Sequence, residues 1–279
     1  MLLRCREFEF RFPRPALVMG IVNVTPDSFS DGGRFLDPAR AVEHALKLVA
    51  DGAEMLDIGG ESTRPGAAPV PELEELKRVM PVLKGLAGRV SVPISIDTMK
   101  AGVARVALDA GVSVINDVGA NRRDPEMWRL AAESGAGYVC VHMQGTPQTM
   151  QHNPVYQNVV REVGEFFSDR LEQLSDCGIP REQIILDPGI GFGKTFAHNV
   201  QLIGGVRELV QLARPLLLGV SRKGFLGRLP GADAVGRLPG ALACACLAVA
   251  AGARLIRAHD VAETVQAVRL TEAVMAEQR

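Results

Sequence analysis

Short apolar runs recur along this chain at intervals that a helix would fill. The run ALVMGIV covers 16–22. AEMLDIGG (53–60), VPISIDT (92–98), VSVINDV (112–118), GYVCVHM (137–143), QIILDPG (183–189), PLLLGVS (215–221) and ARLIRAHD (253–260) follow. These eight runs are nearly continuous in hydrophobicity instead of alternating, the pattern of parallel strands covered on both faces. Between them the apolar positions return with the period of an amphipathic helix. Ala41, Val42, Ala45, Leu46 and Val49 form one stripe, and Leu73, Leu76, Val79, Met80 and Leu83 form another. Residues 126–133, 158–174, 198–213 and 261–277 repeat the pattern, and glycines punctuate the segment ends ahead of the strands.

Eight β-runs alternating with helices predict an α/β fold, a (β/α)8 TIM barrel. A doubly wound open sheet fits the same alternation, because periodicity does not report closure. No linker or low-complexity break divides the chain, so residues 1–279 read as a single domain. Within residues 1–15, Phe8, Phe10 and Phe12 alternate with charges, which predicts a short N-terminal β extension over one end of the barrel.

Composition narrows the classes of function. The formal net charge of 279 residues is −1, so nothing draws the whole molecule to nucleic acid or a membrane surface. No apolar run is long enough to span a bilayer and the N-terminus lacks a signal-peptide pattern, which gives a cytoplasmic expectation. The five cysteines are an odd, scattered set and no disulfide framework. Cys244 and Cys246, two apart in a helical stretch, do not share a face and read as core residues instead of metal ligands.

The polar residues gather where a barrel keeps its chemistry, at the C-terminal strand ends. In order, the runs deliver Asn23; Asp57 with GGESTRPGA; Asp97; Asn116 and Asp117; His142; Asp187 with PGIGFGK; Ser221, Arg222 and Lys223; and Arg257, His259 and Asp260. A lone aspartate at a strand end reads as a turn or cap, but polar residues at every strand end predict a shared mouth. Asp97 and Asp187 suit a ligand with paired N–H donors, and Asn116 can both donate to and accept from a ring edge. Arg64, Lys223, Arg257 and His259 suit anionic groups, and Asn23 suits a hard cation such as Mg²⁺. GIGFGK lacks the spacing of a phosphate-binding loop, and His142 lacks partners at zinc spacing.

At these residues the sequence resembles the dihydropteroate synthase family. The resemblance rests on NVTPDSFSDGG, GAEMLDIGGESTRPGA, ISIDT, INDVGA, HMQGTPQTM, LDPGIGFGKT, GVSRKGFLG and RAHDV, which occur in that order over nearly the whole chain. It implies a folate-pathway transferase that joins 6-hydroxymethyl-7,8-dihydropterin pyrophosphate to p-aminobenzoate with Mg²⁺, on a barrel that forms a homodimer. Asp187, Asn116 and Lys223 would contact the pterin ring with Asp97 beside it, and Asn23 would bind Mg²⁺–pyrophosphate. Arg257 and His259 would hold pyrophosphate. Phe29, Thr63, Arg64 and Pro65 would belong to loops closing over the site, with Phe29 as a lid, and Phe192 and Ser221 would line the aminobenzoate pocket. Asp97, Arg64 and Lys223 are then the catalytic candidates. Gly224 stands where many relatives carry a small hydroxyl residue, and Pro239-Gly240-Ala241 where they carry Gly-Thr. A pterin-dependent methyltransferase domain and a non-catalytic pterin-binding homologue are the rival readings.

Overall fold

Each of the eight apolar runs holds a strand in the computed structural model, which describes residues 1–25, 37–64, 66–120, 122, 124–228 and 236–278. A hairpin comes first, β1 (Leu2–Cys5) and β2 (Phe8–Arg11), paired antiparallel. The main sheet comprises β3 (Leu17–Asn23), β4 (Met55–Gly59), β5 (Ile94–Asp97), β6 (Val114–Asp117), β7 (Gly137–Val141), β8 (Ile184–Asp187), β9 (Leu217–Gly219) and β10 (Leu255–Ala258). All its ladders are parallel and run in the order β8-β7-β6-β5-β4-β3-β10-β9. The two ends of that order meet: Leu186 bridges Leu216, and its N–H donates to the Pro215 carbonyl at 3.0 Å. The sheet is therefore a closed barrel, and the open-sheet alternative falls.

The helices cover the outside: α1 (Pro38–Ala50), α2 (Glu72–Leu86), α3 (Ala101–Asp109), α4 (Pro125–Ser134), α5 (Val159–Asp176), α6 (Phe196–Gly204), α7 (Val206–Leu209), α8 (Leu238–Ala250) and α9 (Val261–Glu277). Alternate strand residues enter two different apolar clusters. Val18, Leu56, Ile58, Ile96, Ile115, Leu186 and Leu218 pack outward against the helices. Leu17, Met19, Met55, Val114, Val139, Ile185, Leu217 and Leu255 fill the lumen. Both faces are dry, which is why the sequence shows no polar alternation. The hairpin closes the lumen from below with Leu3, Cys5, Phe10 and Phe12, as the phenylalanine pattern predicted.

Three expectations need correction. On α2, Leu73 is 74% exposed and the buried apolar face is Val79, Val82, Leu83 and Leu86, so the predicted stripe begins a turn too early. The 198–213 segment is no single helix: α6 ends at Gly204 and α7 begins at Val206. A Cβ on Gly205 would stand 2.6 Å from a Val160 methyl, so the glycine admits a close approach to α5 that breaks the helix. Cys244 and Cys246 are half-buried on α8 instead of fully core. Among the described residues no helix is long and apolar enough to cross a membrane.

Candidate active site

The period-two geometry of the strands carries lumen residues upward from an apolar floor to a polar ceiling. Two positions beyond Met55 stands Asp57, beyond Ser95 Asp97, beyond Val114 Asn116, beyond Ile185 Asp187, and beyond Leu255 Arg257. Asp97 pairs in register with Gly59 on one side and Asn116 on the other. Asp117, one step out of phase, leaves the mouth: it accepts from the Tyr138 hydroxyl at 2.7 Å and the Gly119 N–H at 2.8 Å behind the sheet. The expectation that every strand-end polar residue faces one mouth is thus wrong for Asp117.

Arg257 organises the centre. Its Nε donates to Asp57 Oδ2 at 2.6 Å and its Nη2 to Asp97 Oδ2 at 2.7 Å. Asn116 Nδ2 donates to the same Asp57 oxygen at 3.0 Å. Asp57 is fully buried, and Asn116 and Asp97 are 2% and 7% exposed. Their remaining oxygens, Oδ1 of Asp57, Asp97 and Asn116, are buried and have no hydrogen-bond partner. Buried acceptors are nearly always satisfied, so three together mark a place prepared for donors. Burial pushes the Asp97 carboxyl up to about 7, with Asp57 and Glu75 adding to the rise and Arg257 opposing it.

Asp187 closes the ring of acceptors. Its Oδ1 accepts from Gly189 N–H at 2.7 Å, and its carboxyl is raised by burial against the pull of Lys223, Arg257 and Lys194. Lys223 has its Nζ 3.9 Å from the centroid of the Phe192 ring, a cation–π contact. Burial lowers its ammonium to about 8, with Asp187 and Asp97 favouring the charge. His142 receives Lys194 Nζ at 2.9 Å on Nδ1, and burial with that neighbour holds it neutral.

A second polar group lines the rim. His259 Nδ1 lies 3.0 Å from Ser221 Oγ, and Asn23 Nδ2 lies 3.3 Å from His259 Nε2. Burial and the charges of Arg222, Arg257 and Arg64 lower the His259 imidazole to about 3, so it is neutral at physiological pH. With the Asn23 amide nitrogen on His259, its oxygen is left for another ligand. Arg222 is drawn aside to Asp260 at 2.6 Å, and with φ +58° it stands in the left-handed region. Thr63 is half-buried and Arg64 exposed on the loop after β4. That loop is anchored by Glu61, whose carboxylate meets Lys100 Nζ at 2.5 Å while Lys100 also meets the buried Glu75 at 2.6 Å.

The structure therefore brings together Asn23, Asp97, Asn116, Asp187, Phe192, Ser221, Lys223, Arg257 and His259. Phe29 and Pro65 lie outside the described residues, as do Asp27 and Asp31. Arg257 sits with the carboxylates of the lumen as well as beside His259, a more central place than a purely anion-holding role implies. Asp57 and Lys194 lie within this polar cluster, and sequence reasoning left both without a role. For Asp57 the signal was available, since it shares lumen parity with Met55. For Lys194 there was none, because its partners come from a different strand end.

Comparison with known proteins places this architecture. The profile of the pterin binding enzyme family matches residues 19–259. The dihydropteroate synthase of Escherichia coli K12 is 46% identical over 258 residues, covering 92% of this chain and 91% of the relative. That of Mycobacterium leprae is 43% identical over 266 residues, covering 93% of each. The Yersinia pestis dihydropteroate synthase, solved as a sulfonamide drug complex, superposes with a TM-score of 0.92 at 43% identity, covering 99% of this chain and 100% of the other. The Xanthomonas albilineans enzyme in complex with 7,8-dihydropteroate gives 0.88 at 41% identity over 99% of both chains.

Proposed function

This chain belongs to the pterin-binding enzyme family, among the dihydropteroate synthases, and we propose that it condenses 6-hydroxymethyl-7,8-dihydropterin pyrophosphate with p-aminobenzoate to give 7,8-dihydropteroate and pyrophosphate. The observation that carries the reading is the trio of buried oxygens without partners on Asp57, Asp97 and Asn116. An amino-pyrimidinone ring presents amino and ring N–H donors on one edge, and these acceptors, with Asp187, match that edge. Lys223 supplies the opposite need, a donor toward the ring carbonyl. The methyltransferase and non-catalytic readings are disfavoured, because the relatives that cover the chain are synthases.

The reaction follows from this arrangement. The bond from the exocyclic methylene carbon to the bridging phosphate oxygen breaks, and its electron pair leaves with pyrophosphate. The cation left on carbon is conjugated to the electron-rich ring, and the Asp97 carboxylate stabilises it. The arylamine nitrogen then attacks that carbon and its proton passes to water. Phe192 and Ser221 border the side from which the arylamine arrives. Arg64, Arg257 and neutral His259 face the departing anion. Asn23 would hold Mg²⁺ through its amide oxygen, a single protein oxygen suiting a cation that keeps its waters and phosphate oxygens, and the ion would neutralise pyrophosphate charge. A cytoplasmic location accords with five free cysteines. A homodimer through α8 and α9 accords with their exposed Leu247, Leu270 and Val274.

The test is pyrophosphate release by the purified protein. Release should require the pterin pyrophosphate, Mg²⁺ and p-aminobenzoate together. Release indifferent to p-aminobenzoate would instead show a hydrolase, and no release would show a binding protein.

A pH profile tests the charge states. Asp97 is raised to about 7, so its carboxylate is lost below that value; Lys223 is lowered to about 8, so its ammonium is lost above it. The kcat/KM for the pterin substrate should rise through the first value and fall through the second, a narrow bell. Lys223→Arg keeps its charge, so the alkaline limb should move upward. An unchanged limb would assign the fall to a group other than Lys223.

A further inference from the structure

We propose that Lys194 is a positioning residue for the second substrate: it fixes the curl of residues 189–194 so that Phe192 stands as a wall of the aminobenzoate pocket beneath Lys223. The proposal rests on the synthase reading above, which assigns Phe192 to that pocket.

The loop is built to a tight shape. Gly189, Gly191 and Gly193 take φ of +65°, +83° and +63°, each in the left-handed region. A Cβ on Gly189 would lie 1.8 Å from the His142 carbonyl oxygen, and one on Gly193 2.7 Å from that of Gln144. The curl therefore lies directly on the exit of β7, with no room for side chains between. Its carbonyls are held one by one. Gln151 Nε2 donates to Gly191 O at 2.8 Å, Lys194 Nζ to Phe192 O at 2.9 Å, and the Tyr156 hydroxyl to Gly193 O at 3.0 Å.

Of these three donors Lys194 alone is buried, at 3% exposure, while Tyr156 is half-buried and Gln151 exposed. Its Nζ also reaches His142 Nδ1 at 2.9 Å and His142 O at 3.4 Å, so one ammonium ties Phe192 to the β7 exit. No carboxylate among the described residues forms an ion pair with it. A buried lysine whose hydrogen-bond acceptors are all neutral is costly as a stabiliser. Its burial here is explained by what it holds, the backbone of the residue whose ring carries Lys223. The pterin readers Asp97, Asn116 and Asp187 take their places from parallel strand pairing, and Lys194 reaches Asp187 only as a nearby charge that favours its carboxylate.

Steady-state kinetics with both substrates varied, run beside hydrogen exchange of residues 189–194, test the assignment. Lys194→Met should raise KM for p-aminobenzoate about tenfold, the effect of leaving a buried carbonyl unpaired. The KM for the pterin substrate and kcat should stay within about threefold, and exchange in the loop should quicken. Lys194→Gln, which keeps a neutral amide donor group, should recover part of the loss and serves where the Met variant folds poorly. Equal rises in both KM values, a fall in kcat alone, or unchanged exchange would overturn the positioning role while wild-type turnover leaves the synthase reading standing. A wild type without p-aminobenzoate-dependent turnover would overturn both.

Discussion

Asp97→Asn should lower turnover by about a thousandfold, the scale set by removing a preorganised electrostatic stabiliser, while weakening pterin binding far less. The Asp97 carboxylate uses Oδ2 for Arg257 and leaves Oδ1 buried without a partner. In the asparagine variant the amide oxygen keeps Arg257, and the NH₂ replaces the bare acceptor. The ring then meets a donor where it presents a donor, and the developing cation loses its negative neighbour. Folding stability should move the other way. A carboxyl raised to about 7 by burial disfavours the native state once pH exceeds the ordinary carboxylate range, and a neutral amide removes that penalty. Inactivity with an undiminished melting temperature is therefore the expected signature at pH 8. Unchanged turnover would remove Asp97 from the chemistry, and a large drop in melting temperature would make it structural.

Arg257→Met should destabilise the protein by about 3–5 kcal/mol, the cost of breaking a buried ion pair by removing one partner. It leaves Asp57, fully buried, and Asp97, 7% exposed, facing each other without their shared cation. In a chain of this size the loss corresponds to roughly 10 °C in melting temperature. Without Arg257 the Asp97 carboxyl rises further. The deficit should thus be larger at pH 8 than at pH 6, where a proton on Asp97 removes one of the two facing charges. Adding Asp57→Asn should recover part of the stability and none of the activity. Thermal unfolding at the two pH values checks this, and a melting temperature equal to wild type at both would show that the triad contributes nothing to the fold.

The sequence made the strands legible because both barrel faces are dry, so eight continuous apolar runs stood out. Closure was not legible: it rests on Leu186 meeting Leu216, a pairing between residues with no local signal. The mouth was legible as chemistry, since Asp97, Asn116, Asp187, Lys223, Arg257 and His259 all follow strands. Orientation was legible only in part. Parity separates Asn116 from Asp117, yet both end one strand, and only the Tyr138 hydroxyl behind the sheet shows which one turns away. The α2 stripe misled because Leu73 continues the period past the edge of the core, while the buried Glu75 looks like a surface residue until Lys100 is placed against it.

The central claim is that the bare oxygens of Asp57, Asp97 and Asn116 read the pterin ring. A crystal structure of the wild-type protein with the pterin pyrophosphate tests it most directly. The account predicts ring or amino nitrogens at hydrogen-bonding distance from these Oδ1 atoms and from Asp187, with pyrophosphate toward Asn23 and His259. A ring bound elsewhere, with the three oxygens still without donors, would contradict it.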